Sequence, residues 1–156
     1  MELSDFLIES ALIAELEATE KEPAIREMVE ALCATGAVEQ KEVDGIVEAL
    51  MKREDLGSTG IGRGVAVPHA RHASANDLIG VFGHSARGVE FAALDGEPVY
   101  AIFLLISPVT SSGQHLEALA LISRMLRNDT FCRLLRETTG TDDLIELLRD
   151  AHDFLT

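Results

Sequence analysis

Between residues 20 and 53 the apolar positions recur every three or four residues. Ile25, Met28, Val29 and Leu32 form one stripe, with Pro23 near its start and Gly36 where a helix cap belongs. Val43, Ile46, Val47, Leu50 and Met51 form a second stripe, which runs out near Arg53. Two helices are predicted there. Upstream, residues 11–17 alternate, with Leu12, Ala14 and Leu16 to one side, which predicts a first strand.

The texture changes after Arg53. Residues 57–64 read Gly-Ser-Thr-Gly-Ile-Gly-Arg-Gly, and residues 65–67 read as a buried strand. Pro68 holds the residue before it in extended geometry. Further strands are predicted at 78–82 and 99–106, with a shorter one at 89–91. The last third is predicted to be helical. Residues 115–127 are apolar nearly all round, which predicts burial between layers. Residues 130–137 follow, then 142–155, with Leu144, Leu147, Leu148, Ala151 and Leu155 in register and Thr141 as N-cap. Strands interspersed with helices, with no linker, predict a single α/β domain over residues 1–156, its helices covering a central sheet.

Composition adds little to the fold and more to the function. Hydrophobic residues make up 47% and charged residues 26%, as in ordinary globular proteins. The first ten residues are acidic where a secretory signal would be basic. The longest apolar run, residues 99–106, is far short of the roughly 20 residues a membrane helix needs. A cytoplasmic protein is expected. Cys33 and Cys132 are isolated in apolar stretches and read as reduced thiols. The net charge of −14 argues against nucleic acid and anionic membranes as partners. Two readings of it stay open: steering of basic partners, or solubility alone.

Glycine-rich loops suggest phosphate, because bare backbone N–H groups can converge on an anion. The Walker pattern fails here for want of a lysine. The dinucleotide fingerprint fails because the order is helix, loop, strand. What the loop delivers is His69, at the end of the strand and stiffened by Pro68. Neutral imidazole suits reversible phosphoryl capture, provided its other nitrogen holds a proton in a hydrogen bond. A core histidine capping a strand fits the residues equally well. Arg53 could neutralise a phosphoryl group or simply end a helix in solvent. His115 follows Ser111-Ser-Gly-Gln114, where Ser111 or Ser112 could cap the helix. There the dipole disfavours its protonation. By itself it could be no more than a helix-start residue.

Together these residues resemble a known signature. The run Arg53-Glu-Asp-Leu-Gly-Ser-Thr-Gly-Ile-Gly-Arg-Gly-Val-Ala-Val-Pro-His69 is similar to the active-site segment of phosphotransferase-system (PTS) EIIA proteins of the fructose/mannitol class. The likeness is strongest to the nitrogen-regulatory branch, EIIA-Ntr. The run Gly113-Gln-His115-Leu-Glu-Ala-Leu-Ala-Leu-Ile-Ser-Arg-Met-Leu is similar to the second histidine block of that class, and Phe131-Cys-Arg-Leu-Leu-Arg136 also matches. The resemblance implies a mixed central β-sheet flanked by helices. It implies that His69 takes a phosphoryl group on Nε2, with His115 and Arg53 contacting its oxygens and Ser58 and Thr59 as hydrogen-bond donors. It implies no cofactor and no metal. The donor would be HPr or an NPr-type phosphocarrier, and the recipients either regulatory target proteins or a IIB protein of sugar uptake. A binding module that keeps the fold without phosphorylation is a third reading. The chain departs from the class at Ala70-Arg71, where Gly-Lys is common, and at the added His72. The pair His69 and His72 would face opposite ways on an extended chain, which speaks against a metal site. His84 and His152 are expected to be structural or surface residues.

Overall fold

The computed structural model describes residues 1–155. Its spine is β5 (Val99–Ser107), the most apolar segment of the chain. Alternate side chains leave its two faces: Ala101, Phe103 and Leu105 enter one core, Ile102, Leu104 and Ile106 the other. A strand apolar on both faces must be covered twice, and it is. The first face packs under α3 (Ser112–Met125), α4 (Asp129–Glu137) and α5 (Thr141–Arg149) through Ala118, Ile122, Phe131, Leu135 and Leu144. The second packs under α1 (Lys21–Ala34) and α2 (Val43–Asp55) through Ile25, Met28, Leu32, Ile46 and Leu50. The result is a three-layer α/β architecture with five α-helices among the described residues.

The sheet is mixed. β2 (Val65–Ala66) and β3 (His69–Arg71) run parallel to β5, while β4 (Ile79–Val89) runs antiparallel to it. Val65 lies opposite Ala101 and His69 opposite Leu105, the same offset. The pair β2 and β3 is therefore one strand interrupted at Pro68, which has no N–H for the ladder. The carbonyl of Pro68 still accepts from Leu105 N at 3.0 Å. The strand expected to stop near residue 67 thus carries His69 inside the sheet. Because Val65 and Val67 sit in the α3 core and Ala66 and Ala70 in the α2 core, period-2 alternation points His69 toward α3.

Five predicted elements change. Residues 11–17 are not a strand. The chain turns through a 3-10 segment (Glu9–Ala11) and then follows β4 with isolated bridges, Ile13 N donating to Phe82 O and Leu16 N to His84 O. Its side chains do not share one face either: Leu12 and Ala14 pack toward the α3 core and Leu16 toward the α1 core. The strands expected at 78–82 and 89–91 both fall on β4, the second only at Val89, and are joined across a bulge in which Gly88 N donates to Ser85 Oγ. Polar His-Ser-Ala-Arg-Gly imitates a turn in the sequence. The helix at 115–127 is not buried all round: it begins earlier, as α3, and leaves Leu116 61% exposed. The last helix ends at Arg149 and continues only as a 3-10 turn, and its N-cap is Gly140, with Thr141 its first helical residue.

The glycine-rich segment is a β-hairpin. β1 (Gly60–Gly62) pairs antiparallel with β2 through a turn whose two residues, Arg63 and Gly64, have φ of 58° and 77°. Two left-handed residues in succession favour the turn that matches strand twist, which is why a glycine is needed there. Three of its amides are spent internally: Thr59 N donates to Glu54 Oε1, Gly60 N to Ser58 Oγ and Arg63 N to Asp95 Oδ2. The segment therefore builds an edge, not an open anion cradle.

Glu54 anchors this edge. The carboxylate is buried in α2, accepts from Thr59 N and Thr59 Oγ1, and lies 3.0 Å from Lys21 Nζ. Removing one member of a buried ion pair leaves the other unpaired and typically costs a few kcal/mol. Glu54→Ala is expected to lower unfolding free energy by about 3 kcal/mol in urea titration. A change below about 0.5 kcal/mol would mean the pair is dispensable.

Candidate functional site

His69 leaves the C-terminal end of the interrupted strand. Its Nδ1 lies 2.7 Å from Val67 O. A carbonyl oxygen can only accept, so Nδ1 carries the proton and Nε2 keeps its lone pair. Burial pushes the His69 pKa below its ordinary value; the Val67 contact opposes this and the nearby Arg53 charge adds to it. The ring is consequently neutral at pH 7, with its free nitrogen available as a nucleophile.

His115 comes from the first turn of α3, its N–H donating to Ser111 O at 3.1 Å. Ser111, one of the two candidate caps, is the N-cap residue but makes no side-chain cap bond. The side chain of Ser112 lies outside the described part of the structure. The His115 ring centroid stands 5.4 Å from that of His69, tilted by 57°. At that spacing both rings can touch one tetrahedral group. Burial first, then the neighbouring charges of His69 and Arg71, hold the His115 pKa down to about 4.

That shift has a measurable consequence. The folded-state value lies below the ordinary value of 6.5, so the unfolded chain takes up the proton first as acid is added. The contribution to stability is complete above pH 6.5 and is lost as pH falls toward 4. Between pH 7 and pH 4.5 the wild type is expected to lose roughly 2 kcal/mol more stability than His115→Gln, read by urea titration. Parallel pH profiles would show that His115 is not held neutral by the fold.

Arg53 sits in the last turn of α2 and lines the same cleft, of about 420 Å3, with His69, Arg71 and His115. Its Nη1 donates to Gly57 O at 2.8 Å. Among the described residues no carboxylate pairs with it, in a chain with 27 Asp and Glu. An arginine kept unpaired beside two histidines is charge available for an anion. Arg71 joins it from β3, two residues after His69 and so on the same face. The sequence showed only that positive charge stands at this position; strand alternation would have placed it. Leu56 and Leu116, 85% and 61% exposed, form an apolar rim to the cleft.

The other candidates lie elsewhere. Ser58 Oγ donates to Phe91 O at 3.0 Å, and Thr59 Oγ1 is bonded to Glu54. Both hydroxyls tie the hairpin to its neighbours, and neither lines the cleft. The ring of His72 lies beside α2, where a Cβ on Gly45 would come within 3.2 Å of its Nε2, and its Nδ1 is 2.7 Å from Ser74 Oγ. His84 is buried, with Nδ1 3.2 Å from Ala14 O and Nε2 2.8 Å from Arg136 O. Two residues escaped sequence reasoning. Glu54 looked like one acid among many, and Ser107, a polar residue closing an apolar run, has its Oγ 2.5 Å from His115 Nδ1. No helix among the described residues is long and apolar enough to cross a membrane.

The chain that carries this site is similar over most of its length to known proteins. The nitrogen regulatory protein of Bradyrhizobium diazoefficiens is 32% identical over 149 residues, covering 95% of each chain. The fructose-specific EIIABC component of Bacillus subtilis is 33% identical over 153 residues; the match takes in 98% of this chain but spans only 24% of that relative. The crystal structure of nitrogen regulatory protein IIA-Ntr from Neisseria meningitidis superposes with a TM-score of 0.82 at 31% identity, over 94% of this chain and 98% of the other. The family described as phosphoenolpyruvate-dependent sugar phosphotransferase system, EIIA 2, matches residues 5–151, and the chain belongs to it.

Proposed function

We propose that the protein is a cytoplasmic phosphocarrier that takes a phosphoryl group onto His69 Nε2 from a phosphohistidine of an HPr- or NPr-type protein. The observation that carries the reading is the Nδ1–H bond of His69 to Val67 O, which leaves Nε2 unprotonated in a cleft holding Arg53 and Arg71. In the transfer, the Nε2–P bond forms as the donor's N–P bond breaks, and the bonding pair returns to the donor ring. The positive charge arising on the His69 ring is spread onto Nδ1–H, where the Val67 carbonyl stabilises it. Arg53, Arg71 and His115 face the three phosphoryl oxygens. Phosphoryl transfer needs mainly such positioning and charge stabilisation. The apolar rim of Leu56 and Leu116 lets a partner close over the cleft and exclude water.

The phosphorylation state would regulate target proteins, as the near full-length match to a nitrogen regulatory protein supports. Delivery to a separate IIB protein is the alternative, supported by the match to a fructose-specific component. The test is incubation with phosphoenolpyruvate, enzyme I and an HPr-type carrier. An acid-labile phosphate whose phosphorus NMR signal is that of an Nε2-phosphohistidine supports the relay; no label with any competent donor leaves the binding-module reading. Chasing the labelled protein with fructose- or mannitol-type IIB proteins separates the two destinations, since a regulator would keep its label.

A further inference from the structure

We propose that Ser107 is a positioning residue that locks His115 in its Nε2–H tautomer, so that His115 meets the phosphoryl group on His69 as a neutral hydrogen-bond donor. Ser107 is the last residue of β5, opposite Arg71 in the β3 ladder, and its carbonyl accepts from His72 N at 3.0 Å. Its side chain leaves β5 on the α3 face, like Leu105 two residues earlier. Both groups are shut off from water, with Ser107 0% and His115 5% exposed, and Ser107 Oγ stands 2.5 Å from His115 Nδ1.

The distance alone does not say which atom donates, but hydrogen-bond accounting does. If Nδ1 carried the proton, it would donate to Oγ, and the hydroxyl proton would need an acceptor of its own. Among the described residues the Ser107 side chain has no hydrogen-bond partner besides His115. A fully buried donor would then go unsatisfied, which folded proteins avoid. If instead Ser107 O–H donates to Nδ1, every group is satisfied and the ring proton falls on Nε2. His115 is then the complement of His69. In one ring the backbone holds the proton on Nδ1 and frees a nucleophile; in the other a hydroxyl fills the Nδ1 lone pair and puts a proton on Nε2. A neutral Nε2–H can donate to a phosphoryl oxygen, whereas a bare Nε2 lone pair there would repel it. Since β3 and β5 fix His69 and Ser107 in one ladder, the same sheet sets both tautomers.

The role in transfer rests on the phosphocarrier reading, but the tautomer can be measured without it. In nitrogen-15 NMR of the unphosphorylated wild type at pH 7, His115 should show an unprotonated Nδ1 and a protonated Nε2. Ser107→Val, which lacks the hydroxyl and has the same shape as the Ser107→Thr control, should convert His115 to a mixture of tautomers. Phosphorylation from the HPr-type carrier should slow about tenfold, at an unchanged half-saturating donor concentration, as for a single lost orienting bond. Ser107→Thr should restore both the spectrum and the rate. A protonated Nδ1 in the wild type, or a Ser107→Val protein with the wild-type tautomer, overturns the lock whether or not the protein accepts phosphate. An altered tautomer with an unchanged rate overturns the role in transfer. If the wild type shows the expected tautomer and takes no phosphate, the lock stands, while the phosphocarrier reading and with it the transfer role fall.

Discussion

His69→Ala protein is expected to take up no measurable phosphate from an HPr-type donor, a loss of at least about 10³-fold against wild type. The size of the effect follows from the absence of a substitute. His115 sits 5.4 Å away, but its Nδ1 is occupied by Ser107 and its Nε2 is assigned a proton, so neither nitrogen offers a lone pair to the cleft. His72 is turned toward α2 and Ser74. The alanine protein should still fold, because the His69 ring is only partly buried and the strand it leaves is held by backbone bonds to β5. A circular dichroism spectrum and urea midpoint close to wild type would establish that. Undiminished labelling of His69→Ala would refute His69 as the acceptor and move the search to His115.

The sequence made this residue legible and left its surroundings mostly dark. The two stripes of α1 and α2, the apolar run of β5 and the Val-Ala-Val before Pro68 are strong periodic or buried patterns, and each became the expected element. Elements failed where backbone geometry, not side-chain pattern, decides. The alternation of residues 11–17 reflects a chain that follows β4 with a 3-10 turn in it, and the bulge of β4 hides a continuous strand behind five residues of turn-like composition. Helix α3 looked buried on all sides because Leu116 and Ala120 face outward on a surface that the proposed partner would cover.

The site shows the same division. His69, His115 and Arg53 are distant in sequence, and nothing in their periodicity brings them together; the resemblance to EIIA proteins did. Strand alternation then explains the convergence, since Val67, His69 and Arg71 share a face and Ser107 lies opposite Arg71. The hydroxyls of Ser58 and Thr59 belong to the same sequence signature, yet in this structure they bond to Phe91 O and to Glu54. A signature thus mixes residues that line the cleft with residues that hold the hairpin. Sequence spacing cannot separate the two kinds, because the distinction lies in which partner each hydroxyl reaches.

Arg53→Gln is expected to slow phosphorylation of His69 by about 10²-fold, with a smaller effect on donor binding. A guanidinium about 4 Å from a phosphoryl group is worth on the order of 4 kcal/mol per unit charge at an effective dielectric near 20, before desolvation is subtracted. The net gain is smaller, and about 3 kcal/mol corresponds to the 10²-fold loss. Glutamine removes the charge and, being shorter, gives up the exposed bond that Arg53 Nη1 now makes to Gly57 O, but Glu54 and Asp95 still hold the hairpin amides, so the fold there should survive. Lysine is the sharper comparison. It restores the charge but not the planar fork that can hold Gly57 O and a phosphoryl oxygen at once, so Arg53→Lys should recover only part of the rate. If the acidic surface steers a basic partner, raising ionic strength should slow wild type and Arg53→Gln alike through the encounter with the donor, because that surface is common to both. The ratio of the two rates at saturating donor should therefore stay constant with salt. A ratio that collapsed at high salt would place Arg53 in docking instead of in stabilisation of the transferred group, and Arg71 would become the residue to test for that role.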